Sequence, residues 1–204
     1  MPKYEMDEVL TKIMRQFWRH GYSATSIRDL EEATGLFRGS LYHAFGDKRE
    51  MFFRALRHYD RLHRAEPIAE LEKDDSPRGA VLAVFDAAAS AALEGGSREG
   101  CFEVNAALEL GAHDEEVASL VADAFAGMAK FFCASIERGQ ACGEISPKVD
   151  PKQTAKSLLG LFLGLRVLAC VSPDESFLES VVGQAEALLP SPAQDSEKSL
   201  QQTR

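Results

Sequence analysis

The sequence predicts an all-α fold of about nine helices, and three observations carry that expectation. Apolar residues recur every three or four positions along most of the chain, the spacing that gives a helix one buried stripe. Three segments begin with a capping residue followed by proline: Ser76-Pro77, Asp150-Pro151 and Ser172-Pro173. Proline suits the first helical position because the N–H it lacks would be unpaired there. No segment reads as a strand.

The first helix spans about residues 5 to 20, with Val9, Leu10, Ile13, Met14, Phe17 and Trp18 as its buried stripe. Ser26 caps the second, which shows Ile27, Leu30 and Ala33 on one edge and stops at Thr34-Gly35, where glycine can turn left-handed. The third runs from Arg38 to Phe45, before Gly46. It is too short to offset its own nucleation cost and must be held by neighbours. The fourth opens at Asp47, with Glu50 three residues on as a capping-box variant, and runs past Arg64. Helices follow at about 77–94, 101–110, 114–139 and 151–171, and a last one after Ser172, where Glu175 completes a capping box. From Ser191 the chain has nothing to bury and is expected to be disordered. These readings divide the chain into residues 1–46, a regulatory core over 47–189 and a tail over 190–204.

With 204 residues and 45% apolar content the chain can bury a sizeable core. No apolar run reaches membrane-spanning length, and the acidic start MPKYEMDEVL is unlike a signal peptide. A soluble cytoplasmic protein with no membrane partner is therefore expected. Cys101, Cys133, Cys142 and Cys170 form no CxxC pair, so reduced, mostly buried thiols are expected rather than a zinc knuckle or redox dithiol. The net charge of −9 is unevenly spread: residues 1–66 hold 12 Lys and Arg against 10 Asp and Glu, whereas the remainder holds 11 against 22. A basic head on an acidic body suits contact with phosphate through the head alone.

Short helix, glycine turn, short polar helix over residues 26 to 45 is the helix-turn-helix pattern, whose second helix enters the DNA major groove. Arg38 can grip guanine with two hydrogen bonds, while Ser40 and Tyr42 can bond phosphate oxygens. Gly39 allows close approach of the backbone, and Lys48 stands where it can bond a phosphate. Tyr42 and His43 either face DNA or pack the small domain, and Leu41 and Phe45 read as core.

The string Gly21-Tyr22, Thr25-Ser26-Ile27, Leu30, Ala33-Thr34-Gly35-Leu36, Gly39-Ser40-Leu41-Tyr42, Phe45, Asp47-Lys48 resembles the tetracycline-repressor-like (TetR) regulators over about residues 5 to 60. Beyond that the resemblance is one of layout, with a local echo at Gly100-Cys101-Phe102. It implies an N-terminal three-helix DNA-binding domain followed by a helical ligand-binding and dimerisation domain. It also implies DNA contacts from Ser26 and Arg28, besides Arg38, Gly39, Ser40, Tyr42, His43 and Lys48. Two positions depart from the pattern. Phe37 replaces the usual Ser or Thr cap of the third helix, so the cap comes from elsewhere or its loss, typically about 1 kcal/mol, is tolerated. Its ring can instead lie against a thymine methyl group. Glu31 replaces a small residue, and the sequence offers no account of it.

The last two helices carry apolar doublets that one neighbour cannot cover: Leu158, Leu161, Phe162 and Leu165, then Phe177, Leu178, Val181, Val182, Ala185 and Leu188. A second copy of the chain is the expected cover, and the resemblance implies a homodimer through a four-helix bundle. A homodimer addresses a near-palindromic double-stranded operator. The middle helices are expected to enclose an effector cavity from Phe85, Phe102, Asn105, Glu109, His113, Phe125, Met128, Phe132, Phe162 and Arg166, which mix aromatic surface with a few polar groups. Arg166 can meet an anionic ligand, Glu109 or the other subunit. Glu109 and His113 lack a third ligand for a metal, so no metal or other cofactor is expected. Cys101 opens a helix, a position that favours thiolate, and is either a packed thiol or a redox or electrophile sensor.

No nucleophile–base constellation, phosphate loop or dinucleotide fingerprint is recognisable, so no enzyme is expected. The reading is a ligand-responsive DNA-binding transcriptional regulator, a repressor that binds a near-palindromic operator as a homodimer and answers to an unidentified small-molecule effector. Its alternatives are an activator or ligand-independent DNA-binding protein and, in a different class, a helical protein-binding scaffold.

Overall fold

The computed structural model describes residues 3–94, 99–171 and 174–193, with side chains from Glu5 onward, and shows only helices and their connections among them. The helices are α1 Lys3–Ala24, α2 Ile27–Thr34, α3 Arg38–Phe45, α4 Lys48–Asp60, α5 Glu66–Leu71, α6 Pro77–Leu93, α7 Phe102–Leu110, α8 Glu115–Ala141, α9 Pro151–Val171 and α10 Glu175–Ala187. A π turn, Arg61–Ala65, joins α4 to α5 without a break, so the run is the single fourth helix the sequence predicts. The expected cap at Ser172-Pro173 and the tail from 194 lie outside the described residues. Asp174 caps α10, accepting from Ser176 N at 2.9 Å.

The caps follow the sequence closely. Ser26 and Asp29 form a reciprocal capping box at α2, with Asp29 N donating to Ser26 Oγ at 3.2 Å and Ser26 N to Asp29 Oδ2 at 2.6 Å. Asp47 caps α4 through Glu50 N, Ser76 caps α6 through Gly79 N, and Asp150 accepts from Gln153 N at the start of α9. α1 departs from regular helix at Gly21, whose left-handed φ of 77° breaks the helix close to the predicted end.

The chain forms two compact units, Met1–Pro67 with Cys101–Ala124, and Ile68–Gly100 with Phe125–Arg204. In the first, α1 packs on α2, α4 and α7. Its centre is a chain of edge-on rings: Phe17 against Phe52 at 5.2 Å, Phe52 against Phe102 at 5.6 Å and Phe102 against Tyr59 at 5.7 Å. Such pairs add about 0.5–1.5 kcal/mol each beyond the area they bury. In the second unit α6, α9 and α10 pack together around Val81, Phe85, Phe132, Ile136, Leu158 and Leu178. Arg78 ties that unit's ends, donating to Leu189 O at 2.9 Å and Glu186 Oε1 at 3.0 Å.

The structure corrects the expectation about apolar length: α8 and α9 are both long and apolar enough, by length and composition, to cross a membrane. Isolated charges such as Lys130 and Arg166 interrupt the run without lowering its mean hydropathy enough. The core helix of a globular protein can be as long and apolar, and only 17% of the apolar stretch of α9 is buried within the chain.

His58 is buried between α1 and α4 in a bond pattern that fixes its charge. Thr11 Oγ1 donates to Asp7 O at 2.8 Å, so it accepts from His58 Nε2 at 2.8 Å, and Arg61 Nη2 donates to His58 Nδ1 at 3.1 Å. This uses the neutral ring. Burial first, then the Arg61 charge, push His58 below its usual 6.5. The unfolded chain therefore binds this proton more readily, and stability should fall as pH drops through 6.5 towards the lower folded value. Urea midpoints between pH 7.5 and 5 should show this fall, and His58→Gln should flatten it.

Candidate DNA-binding site

The recognition face is set by which side of α3 can be buried. Leu41 and Phe45 are fully buried at i, i+4, holding the helix on the first unit, and Arg54 Nη1 donates to Ala44 O in its last turn at 3.2 Å. Phe37, Arg38, Gly39, Ser40 and His43 are left exposed, and Tyr42 is half-buried. The Arg38 guanidinium lies 5.3 Å from the Tyr42 ring, and Arg38 Nη2 reaches Tyr42 Oη at 3.5 Å. Ser26 is exposed with its hydroxyl in the α2 cap. Arg28 pairs with Glu32 at 3.0 Å, an exposed i, i+4 pair of little energetic weight. The Lys48 ammonium sits 4.5 Å over the Tyr22 ring.

The missing cap at Phe37 is answered by Glu31, the other departure from the pattern. Phe37 makes no side-chain cap, whereas Glu31 Oε1 accepts from Arg38 N at 2.6 Å. A carboxylate at a helix start also meets the positive end of the helix dipole. The two departures from the family pattern thus meet at one hydrogen bond.

Glu109 binds the break in α1. Tyr22 N donates to its Oε2 at 2.9 Å and Ser23 N to its Oε1 at 2.8 Å. A Cβ at Gly21 would come within 2.7 Å of that carboxylate, so glycine is required there for space as well as for φ. Although burial opposes the charge, the Ser23 and Tyr22 hydrogen bonds hold Glu109 below the usual carboxylate range. On α4, Arg49 reaches Asp114 at 2.8 Å and Glu116 at 2.7 Å, and lies 4.5 Å over the Phe53 ring. Sequence inspection placed Glu109 in a cavity and missed Arg49. The partners lie more than sixty residues apart, beyond any local signal.

The other expected residues are distributed as follows. Phe102, Asn105, Glu109 and His113 belong to the first unit, and Phe85, Phe125, Met128, Phe132, Phe162 and Arg166 to the second. Phe85 stacks on Phe132 at 6.0 Å and meets Phe162 edge-on at 5.8 Å, a packed ring cluster. Arg166 Nη2 donates to Gly100 O at 3.0 Å. A cavity of about 120 Å³ within the first unit is lined by Leu56, Asp60, Arg64, Glu103, Leu120 and Val121 among others, and by none of the ten residues named for ligand binding. Cys101 is only 7% exposed and its thiol faces Glu103 Oε2 at 3.9 Å. Among the described residues no three His, Cys, Asp or Glu side chains gather as metal ligands.

Two family descriptions match the chain: bacterial regulatory proteins of the tetR family over residues 9–55, and the tetracyclin repressor-like C-terminal domain over residues 77–184. The chain belongs to the TetR family. The HTH-type transcriptional repressor ComR of Escherichia coli K12 is 30% identical over 92% of this chain and 90% of its own length. The TetR regulator CifR, solved as a cysteine mutant with 26 bp of double-strand operator DNA, is 28% identical over 90% of this chain and 96% of that one, with a TM-score of 0.76. A TetR regulator from Chloroflexus aurantiacus J-10-FL, at 23% identity, shares the fold with a TM-score of 0.78 over 90% of this chain and 92% of that one. TetR proteins are DNA-binding transcriptional regulators, and this chain carries the TetR head with its recognition helix presented to solvent.

Replacing Glu109 with Ala should leave the Tyr22 and Ser23 N–H groups to water and destabilise the chain by about 1 kcal/mol, since Ser23 is exposed and only part of the penalty applies. Gly21→Ala should cost at least as much, because both strain and contact oppose it. Chemical denaturation of the two variants checks both values.

Proposed function

We propose that this TetR protein is a repressor that binds a near-palindromic operator as a homodimer and releases it when an effector binds. The observation that carries the reading is α3 itself, an eight-residue helix anchored by Leu41 and Phe45 with Arg38, Gly39, Ser40 and His43 turned to solvent. An exposed helix of that composition suits the major groove. Residues 1–46 act as the head, 47–189 as the regulatory core and 190–204 as a tail. Similarity to ComR and CifR supports repression and operator binding. A cytoplasmic location follows from that role.

The homodimer reading rests on α9 and α10. Leu158, Leu165, Leu178 and Ala185, expected at the interface, are instead buried in the chain's own core. The apolar surface left over comprises the half-buried Leu161, Phe162, Phe177, Val181, Val182 and Leu188, with Val167, Leu168 and Val171, the last 79% exposed. A second copy covering that surface places two heads on one duplex. Effector control is supported by α7, whose Glu109 holds the corner before α2 and whose Phe102 packs on α4. A coupling of about 1–3 kcal/mol there changes operator affinity 5- to 150-fold. The effector contacts named from the sequence, and Cys101 as an electrophile sensor, belong to this proposal.

Arg38→Ala should relax base preference, whereas Lys48→Ala should weaken all sequences alike and lower the salt slope by about one. Titrations of the gene's upstream DNA at several salt concentrations decide this, and derepression of a reporter in a deletion strain separates repressor from activator. Changing Leu168 and Val171 to Asp should give a monomer by light scattering and abolish operator binding. A monomeric wild type at micromolar concentration overturns the homodimer.

A further inference from the structure

At the start of α3, two jobs fall to two residues. The N–H of Arg38 is one of the donors that every helix start leaves unpaired. Phe37, in the capping position with extended backbone (φ −69°, ψ 152°), has no side-chain oxygen to accept it. Glu31 on α2 accepts it instead at 2.6 Å, while Ser40 N closes onto Phe37 O at 2.8 Å. The capping position is thereby released from capping. Its ring is 83% exposed, more than any other large apolar side chain among the described residues. An exposed phenylalanine leaves the gain from burying its ring unrealised. It stands beside Arg38, Gly39 and Ser40 on the face that carries the DNA reading.

We propose that Phe37 reads the 5-methyl group of a thymine in each half of the operator, and that Glu31 is the positioning residue that makes this possible by capping α3 in its place. The inference rests on the DNA-binding reading above and specifies one of its contacts. The edges of base pairs in the major groove offer hydrogen-bond donors and acceptors together with one apolar group, the thymine methyl. A phenyl ring has no hydrogen bond to offer, so only the methyl matches it. Without the Glu31 carboxylate, a Ser or Thr at position 37 would be the ordinary means of capping, and a hydroxyl there would take the ring's place.

The test uses the full-length protein and duplexes that it enriches from a random pool. Each thymine is then replaced by deoxyuridine, which lacks only the methyl group. One symmetry-related thymine per half-site should lose about fourfold in affinity on replacement, the equivalent of one buried methylene-sized group. In Phe37→Ala that loss should vanish, while affinity for the uracil duplex stays close to wild type. Glu31→Ala should reduce the thymine-to-uracil ratio, and Glu31→Gln, which keeps an accepting oxygen, should retain it. A residue that merely stabilised the head would weaken both duplexes alike and leave the ratio unmoved, which would overturn the role given to Glu31. No methyl-dependent position, or one that persists in Phe37→Ala, overturns the contact. Failure to enrich any duplex overturns the DNA-binding reading instead.

Discussion

A chain of short helices multiplies helix starts, and every start exposes backbone N–H groups that need an acceptor. Much of this molecule is arranged around that requirement. Local side chains meet it where the sequence allows: Ser26, Asp47, Ser76, Asp150 and Asp174 each accept from an N–H two or three residues on. Elsewhere a distant carboxylate does so. Glu31 serves α3, Glu109 serves the break at Tyr22 and Ser23, and Glu144 accepts from Arg78 N at 3.0 Å and Ser76 Oγ at 3.1 Å at the start of α6. Each of these bonds satisfies a donor and also fixes one helix against another.

This arrangement explains how so small a head stays rigid enough to present a face. α3 has two buried side chains, far too few for an isolated helix of eight residues. Its order comes from both ends: Glu31 at the start, and Gly46 (φ 84°) with Arg54 at the finish. The aromatic chain through Phe17, Phe52, Phe102 and Tyr59 then makes α7 part of the same packed unit as α1 and α4. A helix packed in this way cannot move without disturbing the corner that Glu109 holds, which is the physical basis of the proposed coupling between α7 and the head.

Charge and apolar surface show a similar economy. Arg64 is matched to Asp60, Arg49 to Asp114 and Glu116, and Arg78 to Glu186, whereas Arg38 keeps its guanidinium on the solvent side. A cation without a carboxylate partner in a region of slight positive charge suits an anionic duplex. On α9 the residues that the periodicity marks as apolar divide in two, with Leu158 and Leu165 turned inward and Val167, Leu168 and Val171 outward. Periodicity counts apolar positions and cannot say which neighbour covers them.

The helices and several of their ends are legible in the sequence, because capping residues, left-handed glycines and apolar spacing act within a few residues of one another. Ser26, Gly35, Gly46, Asp47 and Ser76-Pro77 all act where the sequence places them. It also determined the recognition helix, since only burial of Leu41 and Phe45 accommodates α3 and leaves its polar face to solvent. Tertiary structure alone decided the long-range partners. That Tyr22 and Ser23 donate to Glu109, and Arg166 to Gly100 O, is visible only in the fold. Glu31 has no meaning in one dimension, because its acceptor role depends on the angle at which α2 delivers a carboxylate to the first N–H of α3. Local chemistry is written in neighbours along the chain; a hydrogen bond between distant residues exists only once packing has brought donor and acceptor within 3 Å of each other.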